Sequence, residues 1–126
     1  NKELEKIIKK HQPKIVFTTP PNDVNKDHEI VFDSTMVATR PYSNSVKRLL
    51  CYEILGISKK QFSANVYEDI EKEFQYKLNG FKYYKSEIQK FPHPRSIKAI
   101  ENLAIFRGVQ AGLKKAEAFN LIRSIQ

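Results

Sequence analysis

The run KIVFTT, residues 14–19, lies between Pro13 and the pair Pro20-Pro21. Proline breaks a helix interior and pushes the residue before it away from the α region, so no helix can pass through this stretch. A short apolar run rich in β-branched side chains, bracketed in this way, makes a buried strand. A strand without a sheet is unstable, so the rest of the chain must supply neighbours and cover.

The flanking periodicity supplies them. Residues 2–11 read as a helix with Leu4, Ile7 and Ile8 on its apolar stripe. After the prolines a second helix opens at Asp27, with Ile30, Val31, Met36 and Val37 as its apolar positions, and Pro41 stops it. VKRLLCYEIL (46–55) reads as a second strand, and ANVYEDI (64–70) as a short strand or extended segment. Residues 69–89 read as a long helix with Ile70, Phe74, Leu78, Phe81 and Tyr84 near one face, weakened at Gly80. Ser96 caps a helix over 97–114, whose apolar face is Ile100, Leu103, Ala104, Phe106 and Val109. Phe119, Leu121 and Arg123 alternate within 116–125, which reads as a terminal strand. Helices and strands alternating in this order predict an α/β layered fold with a largely parallel sheet, organised as a single domain over 1–126. In such sheets ligands bind beyond the carboxyl ends of the strands.

Composition narrows the class. No apolar run approaches the length of a membrane span, and the charged opening NKELEKIIKK is no secretory signal. The opening has no Met and starts inside a helix, as in a fragment or a processed chain. Cys51 is the only cysteine, which excludes an intramolecular disulfide and a Cys-based zinc site. Its apolar setting, RLLCYEIL, reads as a buried, inert thiol and fits a cytoplasmic location. The formal net charge is +8, but the Lys and Arg residues are scattered in doublets with no dense basic block. That spread reads as a solvated surface, with no nucleic-acid partner.

One stretch carries chemistry. TPPNDVNKDHEIV (19–31) places two Asn, two Asp and one His at the carboxyl end of the first strand. His28 falls in the first turn of the following helix, where a neutral imidazole can ligate zinc. Asp27 is placed to orient an imidazole or a substrate group. Asn22, Asp23 and Asn25 can shape the loop or hydrogen-bond a sugar or an oxyanion. A plainer reading has Asp27 as the N-cap, the other Asn and Asp as turn formers, and His28 at the surface. A lone histidine cannot make a zinc site. Besides His28 the chain has only His11, on the polar end of the first helix, and His93, in a proline-flanked loop that points into the same crevice or into solvent. No HExxH or CxxC pairing is present.

PKIVFTTPPNDVNKDHEIV resembles the central motif of the LmbE/PIG-L family of zinc-dependent N-deacetylases, with its strand, Asn-Asp loop and His-Pro-Asp-His-like helix opening. FSANVYEDIEKEFQYKLNGFKYYKSEI and PHPRSIKAIENLAIFRGVQAGLKKAEAF resemble its later segments in the same order, so nearly the whole chain is covered. The resemblance implies a Rossmann-like layered fold with the N-terminal portion of the family domain missing. It implies that His28 is a zinc ligand and that Asp27 supports a neighbouring catalytic group. Asn25 stands where many members carry a His that stabilises the oxyanion, and an Asn can also donate there. Asn22, Asp23, His93, Arg95 and Glu117 become substrate-contact candidates. The family's other two zinc ligands and its catalytic base lie in a His-Pro-Asp-Asp-Glu element that nothing here matches.

The implied activity is hydrolysis of the N-acetyl group of an amino sugar of the N-acetylglucosamine kind, free or carrier-linked, in glycan or glycolipid synthesis. This chain would supply one zinc ligand and part of the substrate wall, and would be inactive alone. Its exposed first strand would favour self-association. Two other readings stay open: a basic α/β module for polyanions, and a degenerate family member that keeps the fold without catalysis.

Overall fold

The structure, a computed structural model, describes residues 2–42 and 44–126. The elements follow in the order α1 (Lys2–His11), β1 (Ile15–Thr18), α2 (Lys26–Ala38), β2 (Arg48–Tyr52), β3 (Val66–Asp69), α3 (Phe74–Lys82), α4 (Ile97–Ala111) and β4 (Ala116–Ser124). The strands form one sheet in the order β1-β2-β4-β3. The chain divides into two compact units, Asn1–Asn65 with Phe119–Gln126, and Val66–Ala118.

The first unit is built on a parallel pair. β1 and β2 run side by side with Val16 opposite Leu49 and Thr18 opposite Cys51. Parallel neighbours require a crossover, and α2 lies within it. Leu49 and Cys51, alternate residues of β2, are wholly buried. Ile8, Ala38 and Val46 make a second core cluster, with Leu4 and Val16 packed against it. β4 joins β2 on its other side in antiparallel sense, with an irregularity between Leu49 and Leu50. The sheet is therefore mixed, where the sequence pattern predicted a largely parallel one. The Phe119-Leu121-Arg123 alternation is itself the mark of an antiparallel strand with unlike faces.

The helices bury less obvious faces than their apolar residues suggest. Ile7 of α1 is exposed while Ile8 is buried. On α2, Ile30, Val31 and Val37 are exposed, and Thr35 and Ala38 turn inward. The cause is polar: Thr18 Oγ1 donates to Thr35 Oγ1 at 3.0 Å, and Thr35 in turn donates to the Val31 carbonyl at 2.7 Å. Both hydroxyls are thus satisfied in the interior, and the helix docks on its hydroxyl face.

The second unit packs α3 and α4 around Ile70, Phe74, Leu78 and Ala104, with Ile97 and Ile100 at the margin. α3 is far shorter than the helix predicted over 69–89. Asp69 Oδ1 accepts the Glu71 N–H at 3.0 Å and makes a turn ahead of the helix. Beyond Lys82, Tyr83 and Tyr84 are exposed, so no buried face sustains a longer helix. α4 ends at Ala111, short of the predicted 114. Gly112 adopts φ 72°, and the Leu113 N–H reaches the Gly108 carbonyl at 2.8 Å, a Schellman ending. Its predicted face is also rotated: Phe106 and Val109 are exposed, while Arg107 is buried. Among the described residues no helix is long and apolar enough to cross a membrane.

Candidate functional site

The site forms where β1 ends. Thr18, Thr19 and Pro20 are buried, and the chain leaves the sheet over the two prolines. The loop then folds back through two Asx turns. Asp23 Oδ1 accepts the Asn25 N–H at 2.8 Å, and Asn25 Oδ1 accepts the Asp27 N–H at 2.9 Å. Asn25, with extended backbone angles, is thereby the N-cap of α2. Asp27 lies within the first turn, exposed, so the capping reading of Asp27 gives way to Asn25.

These turns bring two side chains of the same loop and helix start together. His28 Nδ1 lies 3.1 Å from Asp23 Oδ2, with Asp23 almost fully buried and about a third of the His28 side chain exposed (31%). Nδ1 itself is buried and makes no aligned hydrogen bond. Burial raises the pKa of the Asp23 carboxyl, but the Asn25 N–H and His28 outweigh it and hold the group below its ordinary value. From the other side Thr19 Oγ1 donates to the His28 carbonyl at 2.7 Å. His28 is therefore fastened at its backbone and met at its ring.

A strap from the segment after β2 crosses the loop. Asp23 and Ser58 form an isolated antiparallel bridge, and the Lys59 N–H donates to the Asn22 carbonyl at 2.6 Å. Lys59 Nζ also reaches Glu29 Oε2 at 3.1 Å, and this contact, with Lys26, lowers the Glu29 pKa. Between strap and loop lies a cavity of ≈ 170 Å³. Pro20 and Phe62 give it apolar walls, and Asn22, Asp23, Lys60 and Asn120 give it polar ones. Asn120 is set by its own bond to the Ser63 carbonyl at 2.7 Å.

Five of the sequence-predicted residues thus share one loop and helix start. Asn22 and Asp23 line the cavity, His28 meets Asp23, and Asn25 and Asp27 are exposed at the head of α2. The other three belong to the second unit. The Arg95 N–H donates to His93 Nδ1 at 3.0 Å, Arg95 pairs with Glu87 at 3.4 Å, and Glu117 pairs with Lys77 at 2.7 Å. Sequence reasoning passed over Thr19, the strap at 58–60 and Asn120. Thr19 was visible as the last residue of the strand. The strap and Asn120 meet the loop only through long-range contacts and leave no local signal.

As a metal site the donor set is partial. Among the described residues no group of three or more His, Cys, Asp or Glu side chains is placed to hold an ion. His28, with its buried Nδ1 and partly exposed ring, suits the part of a single imidazole ligand, and the remaining donors are not among these residues.

No protein-family model matches the chain, and no curated protein does. Solved structures do match in fold. An N,N'-diacetylchitobiose deacetylase from Pyrococcus horikoshii superposes with a TM-score of 0.75 at 20% identity, over 97% of this chain and 50% of its own. A conserved protein from Thermus thermophilus gives 0.78 at 16% identity, over 98% and 58%. A deacetylase of an antimicrobial pseudoaglycone gives 0.69 at 16% identity, over 99% and 56%. The chain spans about half the length of these structures, and at such identities the likeness establishes the fold.

Proposed function

We propose that this chain is the C-terminal part of a zinc-dependent N-deacetylase domain that removes the acetyl group from an N-acetyl amino sugar. The observation that carries the reading is the His28 imidazole, anchored beside Asp23 at the carboxyl end of a parallel strand and next to a cavity. Two of the structural neighbours named above are deacetylases, which supports the reaction class.

In this reading His28 supplies one zinc ligand. The other ligands and the base that activates water come from a segment outside this sequence, as the neighbours' greater length permits. Zinc, when bound, polarises the acyl carbonyl and lowers the pKa of its water. The chain's own residues bind and orient. Asn25 caps α2 through Oδ1, which leaves its amide N–H groups as donors for a developing oxyanion. Asp27 supports a neighbouring catalytic group from the first turn of α2. Asn22 and Asp23 face the cavity as parts of the substrate wall. His93, Arg95 and Glu117 of the second unit are carried as further substrate-contact candidates by the resemblance alone; Arg95 pairs with Glu87 and Glu117 with Lys77. The reading places the protein in the cytoplasm and its substrate in glycan or glycolipid synthesis, with or without a carrier.

Calorimetric titration of zinc into the chain should give weak binding or none, because one imidazole falls short of the usual three protein ligands. In the longer parent protein, His28→Ala should release the metal and abolish acetate release. Asp27→Asn should keep the metal and slow turnover. Full metal content in His28→Ala would remove His28 from the ligand set.

A further inference from the structure

We infer that Asp23 is the positioning residue that sets the tautomer of His28, holding the ring proton on Nδ1 and leaving the lone pair on Nε2 as the coordinating atom. This gives a mechanism to the proposed metal role of His28 and rests on it for its purpose.

The geometry makes the assignment. Nδ1 is buried, and the polar atom placed to meet it is Asp23 Oδ2 at 3.1 Å. An ionised carboxylate only accepts, so an approach this close is favourable when Nδ1 carries hydrogen and repulsive when it carries a lone pair. The carboxylate cannot readily turn away. Its other oxygen accepts the Asn25 N–H at 2.8 Å, and its main chain is bridged to Ser58. The backbone that carries the ring is also held, since the His28 carbonyl is tied to Thr19. The contact is close but not aligned. Part of the His28 side chain is exposed while Nδ1 is buried. A ligating histidine whose other nitrogen donates to a carboxylate is fixed in tautomer and orientation and is a more basic ligand. Asp27, next to His28 in sequence, is exposed at the head of the helix; the carboxylate at ion-pair distance from the ring is Asp23.

The chain carries its own reference. His93 Nδ1 accepts the Arg95 N–H, so His93 must carry its proton on Nε2 when neutral. Long-range ¹H–¹⁵N correlation spectra of the metal-free chain, recorded where the rings are neutral, read both tautomers directly. His28 should appear as the Nδ1–H form and His93 as the Nε2–H form. Asp23→Ala should return His28 to mostly Nε2–H, the form imidazole prefers in water, and leave His93 unchanged. Asp23→Asn keeps its oxygen on the Asn25 N–H and turns its NH2 donor toward Nδ1, so it should shift His28 to the Nε2–H form. Wild-type His28 in the Nε2–H form, or no change in Asp23→Ala, would overturn the inference. If Asp23→Ala fails to fold, the wild-type and Asp23→Asn spectra decide. The two readings fail separately. His28 in the Nδ1–H form with no metal in the parent protein would sink the metal role and spare Asp23. A metal-loaded parent whose free His28 is Nε2–H would do the reverse.

Discussion

Thr19 and His28 are tied across the loop by a 2.7 Å hydrogen bond from the threonine hydroxyl to the histidine carbonyl. The residue just after β1 and the first turn of α2 are thereby joined at the point where the loop leaves and returns. The imidazole is then carried by a fixed backbone, and residues 20–27 are closed into a ring that the Asx turns fill.

Thr19→Val keeps the shape and removes the donor. Because Thr19 is buried, the change should cost about 1 kcal/mol. Urea unfolding of the two proteins checks this, with Thr19→Ser restoring most of the loss. Equal midpoints for wild type and Thr19→Val would mean that the bond adds nothing to the fold.

Asn25→Ala removes the cap of α2 and should lower stability by roughly 1 kcal/mol, while Asn25→Asp should be close to neutral. Thermal melts of both variants test it. Any loss of activity beyond this in a complete enzyme would then belong to the amide N–H donors, which Asn25→Asp lacks.

Burial raises the Cys51 thiol from 9.0 to about 11. A thiol that ionises later in the folded state than in the unfolded one binds the extra proton only when folded, so stability falls as pH rises through that window. Wild type should therefore lose stability between about pH 9 and 11 faster than Cys51→Ala, whatever the fixed cost of the cavity. Denaturant curves across that range give the difference, and parallel slopes would contradict it.

β1 is the outer strand of the sheet, with Ile15 and Phe17 exposed, so its free side offers backbone groups beside apolar side chains. Such an edge recruits a further strand. The apparent mass from light scattering should rise with concentration, and hydrogen exchange at residues 14–19 should slow in step. A constant mass with a protected β1 at high dilution would count against an open edge.

How far sequence patterns reach is visible element by element. β1 was legible because prolines stood on both sides of it, and α4 began where Ser96 said it would. α2 was found, but its inward face was misread. Hydropathy favours Ile30, yet Ile30 is 59% exposed, because the Thr18–Thr35 hydroxyl pair decides the docking. α4 was read past its end, since the left-handed Gly112 gives no hydropathy signal; its backbone conformation does the work.

In the site, His28 stood out by type and position. Asp23 was singled out as a substrate contact, and its approach to the imidazole was hidden. That approach depends on the Asp23–Asn25 turn folding the loop back on itself. The strap was illegible for another reason: Ser58 and Lys59 meet the loop only across a long separation, and no local pattern encodes a partner that far away.

Lys59 holds the strap by two fasteners that obey different laws. Its main-chain N–H is bonded to the Asn22 carbonyl, while its ammonium reaches the Glu29 carboxylate across solvent-accessible space. Dissolved ions screen charges over a distance of about 8 Å at physiological strength and shorter in concentrated salt, and they leave a backbone bond almost untouched. A brine would therefore free the arm of Lys59 without unpinning its peptide. The strap would stay pinned to Asn22 and Asp23 beside the cavity while its outer ion pair let go.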